Sequence, residues 1–428
     1  MEELLQYVWA HRLIRPGALS TCDGRPLHII DPGRLNRDSG PDFFNAKVKI
    51  DGRLWCGNVE IHVRASDWHR HGHHTDPAYD SVILHVVQHD DCAVRRRTDG
   101  TEIPQLKIEC AADFAQRFRE FTCAPASTFA CAGALADIPR LYLRDWLDSM
   151  AYERLNAKGG RILELVERFS GSWEDAAYVT TARALGFGKN SEPFERLAMA
   201  TPLRLLRKHS DSLTSLEALL FGQARLLPEA PRDYAAMLAS EYDFLARKFQ
   251  LSPPDSYNWK MARMRPASFP MRRVALLAAM VADGGFRLMQ RVLEAETEEA
   301  ARAVFADMRL SGYWLRHHTL SDMPCDGAPA ALGRASVDSL VINVVAPLLF
   351  AYGHATGNDA LTARAVDILE HIPAEDNALV RDFCRCGIDC GNAFVSQALI
   401  ELRREYCDVR KCLYCRIGHR ILALRTIP

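Results

Sequence analysis

The sequence predicts an α/β domain over residues 1–110, a mixed sheet with a flanking helix, and a mainly α-helical domain over residues 140–428. Residues 111–139 read as a linker between them. Three observations carry this expectation. Apolar residues alternate at a period of two through much of the first 110 residues, which is strand periodicity. From Leu141 they recur at spacings of three and four, which is the apolar stripe of helices. The metal-binding residue types are also segregated. Nine of the 15 histidines precede residue 111, and six of the 13 cysteines lie between Cys384 and Cys415. A chain of 428 residues favours two domains over one.

Taken in order, the front opens with a helix, Glu2 to Ile14, with Leu4, Leu5, Val8 and Trp9 on one face. Strands are expected at PLHII (from Pro26), FNAKVKI (from Phe44), RLWCGNVEIHV (from Arg53), SVILHVVQ (from Ser81) and IPQLKI (from Ile103). Asp31-Pro32-Gly33 is a turn. Asp51-Gly52 is a hairpin signal, because both residues tolerate the positive φ of a tight turn. Helical runs follow at RLYLRDWLDSMAYERL, LTSLEALLFGQARLL, YAAMLASEYDFLARKF and VALLAAMVA. The most apolar run, LVINVVAPLLFAYG (Leu340 to Gly353), reads as a buried helix, since it is too short to span a bilayer and contains Pro347.

The formal net charge of -1 gives no global field for nucleic acid or an anionic membrane, so any basic surface must be local. The N-terminus lacks the basic start and small-residue cleavage site of a secretory signal. A cytoplasmic location and no membrane partner are therefore expected.

The stretch with the densest chemistry is GPDFFNAKVKIDGRLWCGNVEIHVRASDWHRHGHH, Gly40 to His74. Asp42 opens one strand and Glu60 lies in the next. Alternation puts Glu60 and His62 on one face. Two carboxylates on adjacent strands suit a hard divalent cation, Mg²⁺ or Mn²⁺, with His62 as general base or third ligand. The structural alternative pairs them with Lys47, Lys49 or Arg53. Asp67 and His69 are further candidates beside the site. His69, His71, His73 and His74 are expected in a loop facing solvent. His85 is expected on one strand face with Ser81 and Ile83, either near His62 or as a hydrogen-bonded core histidine.

A helix, then Pro-Asp on a strand, then Glu-x-His on the next strand resembles the PD-(D/E)xK nuclease superfamily. That resemblance implies a restriction-endonuclease-like sheet, metal on Asp42 and Glu60, and His62 in the place of the usual lysine. DWHRHGHH (Asp67 to His74) is similar to the Trp-His segment of very-short-patch-repair endonucleases, which share that fold.

At the other end, Cys407, Cys412 and Cys415 have the spacing C-x4-C-x2-C and are expected to hold Zn²⁺ or a [4Fe-4S] cluster. The fourth ligand is sought among Cys384, Cys386, Cys390 and His419. A basic segment from Trp259 offers Lys260, Arg263, Arg265, Arg272 and Arg273 as nucleic-acid contacts, with Pro270 opening a helix. From GPDFFNAKV and GNVEIHV through LEALLFGQA and PLLFAYG to YCDVRKCLYCRIG, the chain resembles the bacterial domain-of-unknown-function family 2851, a resemblance that implies no activity. The leading expectation is a metal-dependent nuclease using Asp42, Glu60 and His62, with nucleic acid as candidate partner. The alternatives are a non-catalytic nucleic-acid or protein-binding module on the same fold, and a zinc metallohydrolase built on His62, His85 and Asp42.

Overall fold

The structure is a computed structural model describing residues 2–14, 18–36, 39–109, 116, 118, 129–230, 233–255, 257–282, 284 and 286–423. Most of the expected linker, residues 110–115, 117 and 119–128, lies outside the described residues. The chain divides into two compact units. One comprises residues 1–138 together with 405–428, and the other residues 139–404. The sequence reading ran the helical domain to residue 428, whereas the tail belongs with the front. The reason is apolar packing: Leu413 and Leu422 are buried in the same core as Leu4, Leu5, Val8 and Trp9 of the first helix.

In the first unit, helix α1 (Glu2–Ala10) precedes seven strands: β1 (Leu19–Ser20), β2 (Pro26–Asp31), β3 (Arg34–Leu35), β4 (Phe43–Ile50), β5 (Arg53–Arg64), β6 (Val82–His89) and β7 (Gln105–Lys107). The main order is β1-β2-β4-β5-β6-β7, with β3 paired to β4. β2, β4 and β5 pair antiparallel, while β6 joins β5 and β7 joins β6 in parallel, so the sheet is mixed. It is nearly closed. Cys22 N–H, in the turn after β1, donates to Gln105 C=O of β7 at 2.8 Å. The Asp51-Gly52 turn has φ of +47° and +78°, which joins β4 to β5 with Ile50 opposite Arg53. Val59, Ile61, Leu84 and Val86 of the central strands are fully buried against α1. A smaller cluster of Trp68, Val82, Val94 and Ile103 forms separately.

In the second unit, a 29-residue helix, Arg140–Arg168, packs against the helices Ala346–Thr356 and Ala393–Glu401. The other expected helices are Leu213–Gln223, Asp233–Phe249 and Pro270–Val281. Ser212 caps the first of these, its hydroxyl accepting from Ser215 N–H, and Pro270 sits in the first turn of the last, where its missing N–H costs no hydrogen bond. The run expected from Leu340 is longer than the sequence indicated. A continuous 23-residue helix, Arg334–Thr356, is long and apolar enough to cross a membrane by length and composition, and 67% of its apolar window is buried inside the protein. Val341–Val345 within it is a π-helical turn, ending two residues before Pro347.

Candidate metal centre

Two β-bulges create the site. β4 faces β5 with Ala46 opposite Gly57 but Phe43 opposite Val59, so β4 carries one extra residue there. Asn45 absorbs it with φ of +59°, and its N–H donates to Asn58 Oδ1 at 3.1 Å. Regular pairing would set Asp42 against Ile61. The bulge brings it to Glu60. Asp42, one residue before β4 rather than within it, donates its N–H to Glu60 Oε2 at 3.0 Å. In return Ile61 N–H donates to Asp42 Oδ2 at 2.9 Å, and Gln6 of α1 donates to Oδ1 at 2.8 Å.

The second bulge lies between β5 and β6. Asn58 pairs with Val82 but Val59 with Leu84, leaving Ile83 as the extra residue. Without it, His85 would stand beside Ile61, on the core face. With it, His85 pairs with Glu60 and shares the face of Glu60 and His62. The expected grouping of His85 with Ile83 therefore fails, because Ile83 packs into the main core. His62 Nδ1 and His85 Nε2 are 2.8 Å apart, both residues being fully buried.

Of the histidines after β5, His69, His71 and His74 are exposed as expected and His73 is buried. Asp67–Arg70 is a short helix, α2, held at its start by Asp91, which accepts from Ser66 N–H at 2.8 Å and from its hydroxyl at 2.7 Å. Gly72, at φ +77°, lets the chain reverse, and His73 N–H returns to Trp68 C=O. This reversal buries His73, stacked on Tyr79 with ring centroids 3.7 Å apart. His71 stays exposed yet turns Nδ1 to within 3.2 Å of His62 Nε2. His73 Nε2 lies 3.2 Å from Glu60 Oε1, and His62 Nε2 lies 3.6 Å from the same oxygen. One ligand atom each from His62, His71 and His73 falls within 4.8 Å of the other two. His69 and His74 do remain exposed, 4.9 Å apart ring to ring. The clue in the sequence was the alternation His71-x-His73 beside a buried tryptophan. Distinguishing 71 and 73 from 69 and 74 requires the turn at Gly72.

Burial sets the protonation. It raises the Asp42 carboxyl well above the carboxylate range, helped by the charge of Glu60, and raises Glu60 likewise. Burial first, then His73 and His71, push His62 down to about 3. Burial also lowers His73 and takes His85 well below the ordinary histidine range. Burial therefore favours the neutral form of His62, His73 and His85, the form that ligates metal. Three nitrogen donors match a zinc-class ion with one position open, and Glu60 Oε1 stands beside them. His73 Nε2 is buried with the Glu60 Oε1 contact as its polar neighbour and makes no well-formed hydrogen bond, as expected of a nitrogen placed to ligate. The Mg²⁺ or Mn²⁺ arrangement on Asp42 and Glu60 fits less well. Three of the four carboxylate oxygens are already engaged by Gln6, Ile61 N–H and Asp42 N–H, leaving Glu60 Oε1. Among the described residues, neither carboxylate pairs with Lys47, Lys49 or Arg53.

Other candidates sit elsewhere. Asp67 accepts from Arg64 N–H and pairs with Arg70, which shapes the turn. Arg272 and Arg273 are inside the helical unit instead of on a basic surface. Arg272 is 1% exposed, its guanidinium donating to the carbonyls of Trp314, His317 and Pro329. Arg273 binds the Leu185 and Ser268 carbonyls and covers the Phe187 ring. Lys260, Arg263 and Arg265 are exposed. Cys384 and Cys390, sought as fourth ligands, form a disulfide with each other, their Cα atoms 6.0 Å apart. Burial, then Cys415, push the Cys412 thiol up to about 11. His419 Nδ1 is bonded to Tyr7 hydroxyl. Among the described residues, it is the histidine group whose ligand atoms converge; the cysteines do not.

A family model described as a protein of unknown function (DUF2851) matches residues 2–378. The chain belongs to that family. The DUF2851 match contains every residue of the histidine cluster and stops short of Cys384, so the cysteine tail lies beyond it. No curated protein and no solved structure matches the chain.

Proposed function

We propose that the N-terminal unit is a metal-dependent hydrolase, with phosphodiesters as the substrate class, built on a zinc-class ion. The single observation that carries this reading is the convergence of His62, His71 and His73 with Glu60 Oε1. When bound, such an ion lowers the pKa of a coordinated water and neutralises charge on a phosphoryl oxygen. The protein's own groups do the rest. The His62 Nδ1 contact with His85 fixes the ring and turns Nε2 toward His71 and Glu60, where it would ligate. Asp42 N–H holds Glu60 Oε2, aiming Oε1 at the histidines. Glu60 Oε1 is the proton acceptor for the attacking water, and burial has already raised its affinity for that proton. Trp68 and Tyr79 line the neighbouring side and restrict solvent.

The test is metal analysis of the purified protein, with hydrolysis of bis(p-nitrophenyl) phosphate and of DNA and RNA, for wild type, His73→Ala and Glu60→Gln. The reading expects bound zinc in wild type, its loss in His73→Ala, and retained metal without turnover in Glu60→Gln. Equal hydrolysis by all three proteins overturns it.

A second reading keeps the nuclease arrangement of the PD-(D/E)xK superfamily, with Mg²⁺ or Mn²⁺ on Asp42 and Glu60 and His62 as base. The facing positions of Asp42 and Glu60 across the hairpin favour it. It predicts Mg²⁺-dependent cleavage that Asp42→Asn abolishes and that His71→Ala and His73→Ala leave intact.

A further inference from the structure

The helical unit contains a cavity of about 650 Å³, a volume typical of small-molecule sites. One helix supplies three of its cations. Arg154, Lys158 and Arg161 stand at i, i+4 and i+7 of Arg140–Arg168, hence on one face. Arg183 and Arg404 bring the lining cations to five, against the carboxylates Glu195, Glu375 and Glu401, a difference of 5 − 3 = +2.

The pairing of these charges is uneven. Arg161 and Arg183 both clamp Glu195, and Arg154 reaches Glu401 at 3.1 Å. Among the described residues, no carboxylate forms an ion pair with Lys158. Its ammonium donates to three neutral acceptors: Gln397 Oε1 at 2.6 Å, Asn343 Oδ1 at 2.9 Å and Ile342 C=O at 3.3 Å. Ile342 and Asn343 lie in the π-helical turn Val341–Val345, a departure from α-helix that recurs at functional sites. Arg404 is exposed and sits in a second π-helical segment, Leu402–Cys407. No ion pair holds it among the described residues, while its charge acts on both Arg154 and Lys158. Burial, then Arg154, push Lys158 down to about 7, and Glu375 and Glu401 oppose this without cancelling it. Two of the lining cations, Lys158 and Arg404, are therefore without a carboxylate contact among the described residues. Ile162 and Phe187 add apolar wall beside them.

We propose that this cavity binds a small organic phosphate, its phosphoryl group between Lys158 and Arg404 and its organic part against Ile162 and Phe187. Arginine's planar fork and lysine's compact charge are the usual pair for phosphoryl oxygens. The volume exceeds what inorganic phosphate alone fills.

The experiment is calorimetric titration of the full chain with inorganic phosphate, AMP, ADP and citrate. Chelator is present throughout, so that phosphate on a metal ion contributes no heat. Wild type is expected to bind the nucleotides saturably and more tightly than inorganic phosphate or citrate. Arg404→Ala, at an exposed position that leaves the fold intact, is expected to lose roughly tenfold in affinity, the loss of one charge-assisted hydrogen bond. Lys158→Gln is expected to lose at least as much. Absence of saturable binding to any phosphate, citrate binding as tightly as the nucleotides, or unchanged affinity in Arg404→Ala overturns the proposal.

Discussion

His62 Nδ1 and His85 Nε2 are 2.8 Å apart on a fully buried strand face, and they meet only because Ile83 is bulged out of the β5–β6 ladder. A regular ladder would send His85 to the opposite face. The residue that assembles this contact is therefore an isoleucine with no chemistry of its own.

The contact predicts an effect on metal affinity. His85→Phe keeps an aromatic ring in the space but removes the nitrogen that orients His62. Zinc affinity is expected to fall roughly 10- to 100-fold, the usual effect of losing a partner behind a metal ligand. Competition with a chromogenic chelator measures it, and an unchanged affinity would show that His62 needs no such support.

The same bulge makes Gly57 intolerant of a side chain. A Cβ there would stand 2.4 Å from Ile83 Cγ2 and 2.8 Å from Ser81 C=O. Gly57→Ala is expected to cost on the order of 2 kcal/mol in urea denaturation and to lower zinc affinity with it, since relief of the clash must shift β5 against β6. Gly52→Ala, at a turn with open space around it, should cost stability through its positive φ and leave zinc affinity unchanged.

Asp42 and Glu60 predict a pH dependence for the metal-free protein. Both bind protons more tightly when folded than their reference values of 3.8 and 4.5. Their contribution is therefore complete below those values and is lost as pH rises through the raised folded values. Lys158, lowered from 10.5 to about 7, has the opposite slope above neutrality, so a difference measurement is needed. Asp42→Asn, with one carboxylate removed, is expected to gain on wild type by on the order of 2 kcal/mol between about pH 5 and about pH 8 in the presence of chelator. A constant difference across that range would mean that the Asp42 carboxyl is not raised in the folded protein.

Arg272 and Arg263 should behave oppositely. Arg272→Met leaves three carbonyl acceptors without their buried donor and is expected to destabilise by roughly 3 kcal/mol or more. Arg263→Met, at an exposed position, is expected within about 0.5 kcal/mol of wild type. Denaturation curves separate them. Equal costs would mean that Arg272 is not held by those carbonyls.

Much of the front was legible. Strand periodicity located β2, β4, β5, β6 and β7, and Asp51-Gly52 fixed one hairpin, whereas the facing of Asp42 and Glu60 depends on the bulge at Asn45. The roles of Arg272 and Arg273 were not legible, because a run of cations reads the same on a surface or among buried carbonyls. Nor was the division of the cysteines. Spacing alone cannot tell that Cys384 and Cys390 bond each other, or that Leu413 and Leu422 carry the tail back to the first unit.

What the sequence determined by itself is local: periodicity, turn chemistry, and a set of carboxylates and imidazoles gathered between Asp42 and His85. The tertiary structure decided which of them face one another. A single extra residue in a strand moves every side chain beyond it to the other face, and neither Asn45 nor Ile83 announces that it is the extra one. The pairing energy of the whole sheet selects those two positions, and through them the histidines that converge.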